Sequence, residues 1–355
     1  MTSGLHLSNV ALLSIVSSLA GVVCCEASLG ELQRYQAEQP HMGTLFRIVV
    51  YSPEEAPALA ACKEAFARIA QLDHIMSDYR DDSELMQLCQ QAVGKPVRVS
   101  PDLFRVLKAA QEIARATDGA FDVTAGPIIR LWRRARRQRE LPDAERLEAA
   151  RALVGYQKLR LDPERQTVEL ALPNMRLDLG GIGKGFAADE ALAVLQKHGL
   201  TRAMIVAGGD VRVGDPPPDS HGWKISIASL NDPARNSDYL ILARAAVSTS
   251  GDLEQFVELG GRRYSHIVDP KTGEALVGRR SASVVAPTAT QSDAWATAVC
   301  VLGEKGITLL EKQPQIAARL LVAYDGASSS PTPHSPAKPH TRVYATSSWQ
   351  RLPRP

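Results

Sequence analysis

The chain has 355 residues, of which 45% are hydrophobic and 23% are charged, and its formal net charge is +2. This composition is ordinary for a globular protein, and the length allows a large core in one domain or two. The balanced charge excludes binding to nucleic acid or to an anionic surface through a strong global field.

The chain begins with an apolar segment. Its first 25 residues contain no Lys, Arg, Asp or Glu, and an apolar run extends from Val10 to Val23. The run is shorter than the roughly 20 apolar residues that span a membrane, and it is typical of the core of a secretory signal. We therefore predict a signal peptide or lipoprotein signal over residues 1–27 and an exported chain. The basic residues that usually precede such a run are missing, so a retained anchor or a misassigned start is an open alternative, and Cys24 and Cys25 leave lipid anchoring open.

Removal of that segment would leave three cysteines, Cys62, Cys89 and Cys300. Their number is odd and their spacing is not that of a metal site, so the sequence predicts neither a disulfide framework nor a zinc site. Each is expected to be a small, buried, apolar side chain.

Apolar periodicity predicts the elements of the first half of the chain. They are a strand at 44–51, helices at 54–76, 101–117 and 145–153, and a pair of strands within 157–178 around Asp162-Pro163. Ser100 is the expected N-cap of the second helix, with Pro101 as its first residue.

The second half is richer in strands, which are separated by Gly, Pro, Asn and Asp turns. Strands are predicted at 204–206, 223–227, 239–242, 246–248, 283–286, 320–324 and 343–346, and helices at 292–302 and 304–313. The Ser/Pro-rich segment 325–341 is expected to be a mobile loop. Because strands and helices do not strictly alternate, the pattern favours an α+β fold with antiparallel sheets over a doubly wound parallel fold.

The most informative segment is the glycine cluster between Arg176 and Asp189, which carries Lys184. The alternating apolar run that precedes it consists of Val168, Leu170, Leu172, Leu177 and Leu179. The pattern predicts a strand that ends in glycines and leads into a helix from Gly185 to about His198. Exposed backbone N–H groups at such a turn, together with a cation, suit a phosphate. The spacing is neither that of a P-loop nor G-x-G-x-x-G, so a mononucleotide or dinucleotide ligand would be bound by a less common motif.

Asp293 and Thr297 are spaced four residues apart at the predicted start of a helix, so they share one face. A carboxylate and a hydroxyl form a pair of hard oxygen ligands suited to Mg²⁺. The alternative is that Asp293 only complements the helix dipole and Thr297 packs.

His266 lies before the turn sequence Asp269-Pro270-Lys271-Thr272-Gly273, and its ordinary pKa suits a general base. A structural histidine beside a turn is the alternative. Residues 117–122 predict a helix stop at Gly119, while 208–210 and 250–252 predict turns where backbone could approach a ligand. The arginine-rich run 130–139 predicts a solvated helix face, with no accompanying signal for nucleic acid.

In this order the segments resemble the ApbE family, the FAD:protein FMN transferases, from about residue 40 to the C-terminus. The matching pieces are Met42-Gly43-Thr44, Met76-Ser77-Asp78-Tyr79-Arg80, Asp82-Ser83-Glu84-Leu85, Asp118-Gly119-Ala120-Phe121-Asp122, Gly126-Pro127, Leu131-Trp132, Asp178-Leu179-Gly180-Gly181-Ile182-Gly183-Lys184-Gly185, Gly208-Gly209-Asp210, Ser250-Gly251-Asp252, Ser265-His266-Ile267-Val268-Asp269-Pro270 and Asp293-Ala294-Trp295-Ala296-Thr297. Each piece is short, but the ordered set is specific.

The resemblance implies a T-fold-like α+β architecture in one flavin transferase domain, here residues 28–355. It implies an Mg²⁺-dependent enzyme that transfers FMN from FAD to a threonine hydroxyl of a partner flavoprotein and releases AMP. The expected partner is a subunit of a membrane or periplasmic redox complex, and the expected location is the periplasm, with an anchor as an option. An FAD pyrophosphatase and a non-catalytic FAD-binding protein are the alternatives.

The resemblance also carries site residues over to this chain. The residues implied to line FAD are Met42, Tyr79, Ala120, Phe121, Asp122, Asp178, Lys184, His266 and Ile267. The side chains of Asp293 and Thr297 and the carbonyl of Gly181 are implied to bind the metal, and His266 is the candidate general base. The chain departs from the family pattern at Val123, Gly183 and Phe186 and in the arginine-rich run after Trp132.

Overall fold

The computed structural model describes residues 31–227, 230, 238–252, 255–324 and 340–355. The predicted signal over residues 1–27 lies outside the described residues, as does the predicted loop at 325–341 apart from its last two residues. The helices are α1 (Glu55–Met76), α2 (Glu84–Gln91), α3 (Pro101–Ala116), α4 (Gly126–Gln138), α5 (Ala144–Arg151), α6 (Gly183–Lys197), α7 (Ala289–Leu302), α8 (Glu304–Leu310) and α9 (Ser347–Gln350). The strands are β1 (Gln33–His41), β2 (Thr44–Ser52), β3 (Val97–Arg98), β4 (Leu159–Asp162), β5 (Thr167–Leu170), β6 (Ala203–Ala207), β7 (Asp210–Val213), β8 (Trp223–Ile227), β9 (Asp238–Leu242), β10 (Ala246–Gly251), β11 (Phe256–Leu259), β12 (Arg262–Val268), β13 (Ala275–Val277), β14 (Arg280–Ala286), β15 (Ala317–Tyr324) and β16 (His340–Ala345).

A large antiparallel sheet forms the centre of the described structure. Its strands run in the order β1-β2-β6-β7-β10-β14-β15-β16. Phe46 of β2 lies opposite Ala207 of β6, and Ala207 lies opposite Asp210 of β7. The smaller sheets are β11-β12-β13, β3-β5-β4 and the β8-β9 pair. The predicted α+β class with antiparallel sheets is therefore confirmed.

The two faces of the central sheet are covered by different layers. Helices α1, α6 and α7 pack in sequence on one face, with Ile48 and Val50 of β2 among the residues buried there. Val49, between them, belongs to a second cluster with the β8-β9 pair and Trp349 on the other face. Successive side chains of a strand point to opposite faces, which explains why β2 is apolar at consecutive positions.

Helix α4 lies over the small sheet β11-β12-β13. Its Trp132 is buried beside Tyr264 of β12, with ring centroids 5.3 Å apart, and the indole N–H donates to the carbonyl of Gly273 at 2.8 Å. Ile128 and Val268 belong to the same apolar cluster. This packing fixes one side of α4 and turns its neighbouring side toward the cleft described below.

The predicted helices α1 and α3 are confirmed. The side chain of Ser100 accepts a hydrogen bond from the backbone N–H of Leu103, and Pro101 occupies the first helical position. Cys62, Cys89 and Cys300 are buried, as expected, and burial raises the pKa of each thiol. Within the described residues no helix combines the length and hydropathy that crossing a membrane requires.

The prediction that a strand continues into the glycine cluster is wrong, because β5 ends at Leu170. Pro173 lacks a backbone N–H, and Asn174 adopts a left-handed conformation with φ of 65°, so the ladder cannot continue. Met175, Leu177 and Leu179 are nevertheless buried, and the backbone N–H of Asp178 donates to the carbonyl of Val123 at 2.8 Å. The alternating pattern therefore reflects burial of an irregular segment.

Helix α7 begins at Ala289, three residues before the predicted start. Thr288 caps it by accepting from the N–H of Gln291, and Asp189 of α6 accepts the N–H groups of Ala289 and Thr290 at 2.9 and 2.8 Å. These groups already satisfy the helix N-terminus. Asp293 therefore lies one turn inside the helix, and its position does not support the alternative that it is a first-turn dipole partner.

Candidate active site

A cleft of about 1140 Å³ opens between the loop before α6 (residues 178–182, the glycine-rich loop), helix α4 and the small sheet that contains β12. All the residues proposed from the sequence as site residues line it, namely Met42, Tyr79, Ala120, Phe121, Asp122, Asp178, Gly181, Lys184, His266, Ile267, Asp293 and Thr297. They come from segments that are far apart in the chain, and the fold brings them to one place. Their individual roles remain predictions.

The glycine-rich loop brings Lys184 against two carboxylates at the base of the cleft. The Lys184 Nζ lies 3.1 Å from Asp210 Oδ2 and 3.5 Å from Asp293 Oδ2. The backbone N–H of Gly185 also donates to Asp293 Oδ2 at 3.1 Å. A lysine and a helix N-terminus thus share one buried carboxylate, and this group of charges lines the cleft.

Burial is the dominant electrostatic influence on this group. It raises the pKa of Asp293 to about 7, and the neighbouring Asp210 acts in the same direction while Lys184 opposes. For Lys184, burial disfavours the ammonium, but Asp210 and Asp293 outweigh it and hold the pKa above the ordinary lysine value. Lys184 is therefore a permanent cation in the cleft.

Oxygen atoms gather beside Asp293 on the cleft-facing side of α7. The Thr297 Oγ1 lies 3.3 Å from the Ser250 Oγ, and a Cβ added to Gly181 would lie 3.2 Å from Thr297 Oγ1. The pair proposed from its four-residue spacing therefore does face the glycine loop. Among the described residues, no group of three or more His, Cys, Asp or Glu side chains could hold a metal ion. A cation here would depend on at most two carboxylates together with neutral oxygens.

His266 lies on β12 with its side chain accessible from the cleft. Its Nδ1 and its backbone N both lie 3.1 Å from the carbonyl oxygen of Gln255. Donation from Nδ1–H to that carbonyl leaves Nε2 as the free acceptor. The surrounding protein lowers the pKa of His266, Arg136 and Lys184 lower it further, and the bond to Gln255 opposes them. The imidazole is therefore neutral at neutral pH.

The remaining predicted cleft residues have identifiable structural positions. Met42 occupies the tight turn between β1 and β2 with φ of 50°, and its N–H donates to Asp73 at 3.0 Å. Asp122 accepts from the N–H and the hydroxyl of Thr124 at 2.8 and 2.7 Å, so much of its hydrogen-bonding capacity is used within the chain. Burial raises the pKa of Asp122. Ala120, Phe121 and Ile267 supply buried apolar walls.

Arg133 was missed by the sequence analysis, which predicts a solvated face for its run. Its guanidinium contacts Asp78, lies 2.7 Å from Asp178 Oδ2, and stacks over the Tyr79 ring with Cζ 4.6 Å from the centroid. The helical spacing of this run could have indicated that Arg133 faces the cleft. Ile129, Arg133 and Arg136 share a side of α4 and line the cleft.

The loops 208–210 and 250–252 were predicted as turns. Gly208 and Gly209 do form the turn between β6 and β7, and Gly208 has φ of 63°. Ser250 and Gly251 instead belong to β10, so that prediction is wrong. Asp252 is fully buried, where it pairs with Arg263 at 2.7 Å and accepts the N–H of Arg280 at 3.0 Å. The partners of Asp252 become visible only in the folded chain.

Comparison with known proteins decides the family. A sequence model described as the ApbE family matches residues 42–320. The chain belongs to the ApbE family. A relative named FAD:protein FMN transferase from Treponema pallidum is 34% identical over 321 residues, covering 86% of this chain and 88% of the relative. A protein of the same name from Vibrio cholerae is 32% identical over 291 residues, covering 81% of this chain and 86% of the relative.

Solved ApbE structures share the fold. The flavin transferase ApbE from Vibrio cholerae superposes with a TM-score of 0.78 at 28% identity, covering 90% of this chain and 99% of that chain. The ApbE protein from Thermotoga maritima gives a TM-score of 0.77 at 28% identity, covering 91% of this chain and all of that chain. These likenesses confirm the ApbE-like architecture expected from the sequence.

Proposed function

We propose that this chain is an FAD:protein FMN transferase that moves FMN from FAD to a threonine hydroxyl of a partner flavoprotein and releases AMP. Relatives named FAD:protein FMN transferase align with this chain over most of their own length. The observation in the structure that carries the proposal is the convergence of Lys184, Asp293 and Thr297 beside the glycine-rich loop. The cleft of about 1140 Å³ is large enough for a dinucleotide.

Mg²⁺ is the metal that best fits the oxygen atoms beside Asp293. The Asp293 carboxylate, the Thr297 hydroxyl and the Gly181 carbonyl are hard ligands, and Mg²⁺ is usually bound by one or two carboxylates together with substrate phosphates. Bound there, Mg²⁺ would neutralise charge on the pyrophosphate and make the FMN-side phosphorus more electrophilic. The small number of protein carboxylates is consistent with a site completed by the substrate.

The chain's own residues account for the other parts of the reaction. The acceptor hydroxyl oxygen forms a bond to the FMN-side phosphorus, the bond from that phosphorus to the bridging oxygen breaks, and AMP leaves with that oxygen. The hydroxyl proton passes to His266 Nε2 and then to solvent. Lys184 offsets negative charge on the phosphates, and the apolar walls exclude competing water.

The His266 proposal predicts a pH profile. Because the surrounding protein lowers the pKa of His266 below its ordinary value near 6.5, the basic form is present at neutral pH. At saturating Mg²⁺, which would keep Asp293 ionised, we expect kcat/KM for transfer to rise with pH through a pKa below 6.5 and then to level off. His266→Gln should remove this step and slow transfer by about 10²–10⁴-fold. A glutamine variant that keeps both the rate and the profile would contradict the assignment.

The proposed function is tested by following both products. Purified protein is incubated with FAD, Mg²⁺ and a candidate acceptor. We expect one AMP for each FMN bound to the acceptor, which is detected as a fluorescent band on a denaturing gel. An acceptor whose threonine is replaced by alanine is the control and should stay dark. AMP without a labelled acceptor would contradict transfer in favour of FAD hydrolysis. Tight FAD retention with neither product would favour a binding protein.

The cellular setting is part of the same proposal. We infer export to the periplasm, with a membrane anchor as an option, from the uncharged apolar segment that ends at Cys24 and Cys25. The acceptor would then be a flavoprotein subunit of a membrane or periplasmic redox complex. Fractionation of cells that express the whole chain tests this inference, and recovery of the protein only in the cytoplasm would contradict it.

A further inference from the structure

Arg133 joins three parts of the cleft wall that are distant in sequence. It projects from α4 and binds Asp78, which lies in the segment after α1, and Asp178, which begins the glycine-rich loop. The side chains of Arg133, Asp78 and Asp178 are only 18%, 15% and 5% exposed. A planar guanidinium can serve two carboxylates at once because its donors form a fixed fork, which a lysine ammonium lacks.

The same guanidinium lies under the ring of Tyr79. The Tyr79 residue is 73% exposed and lines the cleft. The Arg133 Cζ lies 4.6 Å from the ring centroid, within the range of a cation–π contact. One face of the ring is thus supported by the arginine while the ring stays accessible from the cleft.

Asp178 connects Arg133 to the backbone of the glycine-rich loop. Its Oδ2 receives Arg133, and its Oδ1 accepts the backbone N–H of Gly180 at 2.8 Å. Gly180 directly precedes Gly181, whose carbonyl we propose as a metal ligand. Arg133 therefore lies at the junction of the aromatic wall and the loop that faces the phosphate end of the cleft.

We propose that Arg133 is a positioning residue that holds the Tyr79 ring as a platform on which a flat ring of FAD stacks. The inference rests on the proposed function for the identity of the ligand. Arg133 acts through Tyr79 and Asp178, and it does not contact the reacting phosphorus. A platform held in place before the ligand arrives lowers the cost of ordering it on binding.

A double-mutant cycle separates this role from a general contribution to folding. FAD affinity is measured by flavin-fluorescence titration for the wild type, Arg133→Gln, Tyr79→Ala and the double variant. We expect each single variant to weaken binding about tenfold and the double variant to lose little more, because both changes remove the same platform. Losses that multiply to about 100-fold would overturn the proposal.

Steady-state kinetics provide a second readout. Loss of uniform binding raises KM for FAD with kcat nearly unchanged, whereas partial unfolding lowers the amount of active enzyme and hence the apparent kcat. Arg134→Gln is the matched control, since Arg134 is exposed and its Nε bonds only Gln138 at 2.7 Å; it should leave both constants unchanged. An Arg133→Gln variant with lower kcat and unchanged KM would contradict a positioning role.

Arg133→Lys covers the case in which the glutamine variant does not fold. It keeps the charge but loses the planar fork, so we expect FAD affinity between those of the wild type and Tyr79→Ala. A lysine variant that binds FAD as tightly as the wild type would overturn the proposal. Failure of the wild type itself to bind FAD would instead contradict the proposed function, so the two failures are distinguishable.

Discussion

Replacing Asp293 with asparagine is expected to reduce flavin transfer by about 10³-fold or more. A metal ion contributes several kcal/mol of charge stabilisation in the transition state, and each 1.36 kcal/mol is about a factor of ten in rate. Asparagine has nearly the same shape, and its amide oxygen can still accept the N–H of Gly185, which now reaches Asp293 Oδ2 at 3.1 Å. The measurement is the rate of AMP release across a titration of Mg²⁺, with Mn²⁺ binding followed separately by calorimetry.

Stability measurements separate this effect from loss of the fold. Because burial and Asp210 disfavour the ionised form of Asp293, the neutral variant should unfold at a temperature equal to or above that of the wild type without metal. Asp219→Asn is the matched control. It makes the same chemical change in an exposed turn where φ is 55°, a conformation that asparagine tolerates well. An Asp293→Asn enzyme with unchanged rate and Mn²⁺ affinity would contradict the metal assignment.

Replacing Gly185 with alanine is expected to destabilise the protein by about 3 kcal/mol or more. An added Cβ would lie 2.1 Å from the carbonyl oxygen of Ala289 and 2.9 Å from the backbone N of Thr290, so α6 and α7 would have to separate. Backbone atoms cannot move aside as a side chain does, and overpacking of this kind costs about 1–3 kcal/mol or more. Thermal unfolding measures the loss, and transfer should also fall because Gly185 N–H binds Asp293.

The same helix offers a matched control two residues earlier. A Cβ added to Gly183 would have its nearest neighbours, Leu179 Cβ and Met76 Cε, at 3.9 Å, which is ordinary van der Waals contact. Alanine in place of glycine also stabilises a helix, by about 1 kcal/mol at most. Gly183→Ala should therefore be neutral or slightly stabilising and leave transfer intact. Equal stability of the two alanine variants would show that the close approach of α6 and α7 at Gly185 is not required.

The amphipathic helices could be predicted because their signals are local. Helix α3 has a capping serine, a proline at its first position and apolar residues on one face, and all three features act within a few residues of one another. Strand β1 was not predicted because its sequence, QRYQAEQPH, has no alternating apolar pattern. It lies at the edge of the sheet, is mostly exposed, and owes its conformation to pairing with β2.

The residues of the candidate site were likewise predictable only where the signal is local in the sequence. Asp293 and Thr297 could be placed on one helix face from their spacing. The glycine cluster pointed to Lys184 and the turn at 269–273 pointed to His266, while the family resemblance supplied the remaining residues.

Helical spacing places Arg133 on one side of α4 with Ile129 and Arg136. Its carboxylate partners could not be assigned, because they lie 55 and 45 residues away and no local pattern links them to it. Asp210 likewise reads as part of a turn, and its contact with Lys184 arises only when β7 aligns beside the glycine-rich loop.

A crystal structure with FAD and Mn²⁺ tests the central claim most directly. The claim is that the pyrophosphate of FAD and a divalent cation share the place beside Asp293, Thr297 and Gly181. Anomalous scattering locates Mn²⁺ independently of the refined atoms. We predict a peak in contact with the Asp293 carboxylate and the Thr297 hydroxyl, with the pyrophosphate bound to it and near Lys184. A peak elsewhere, or a pyrophosphate remote from these residues, would contradict the account.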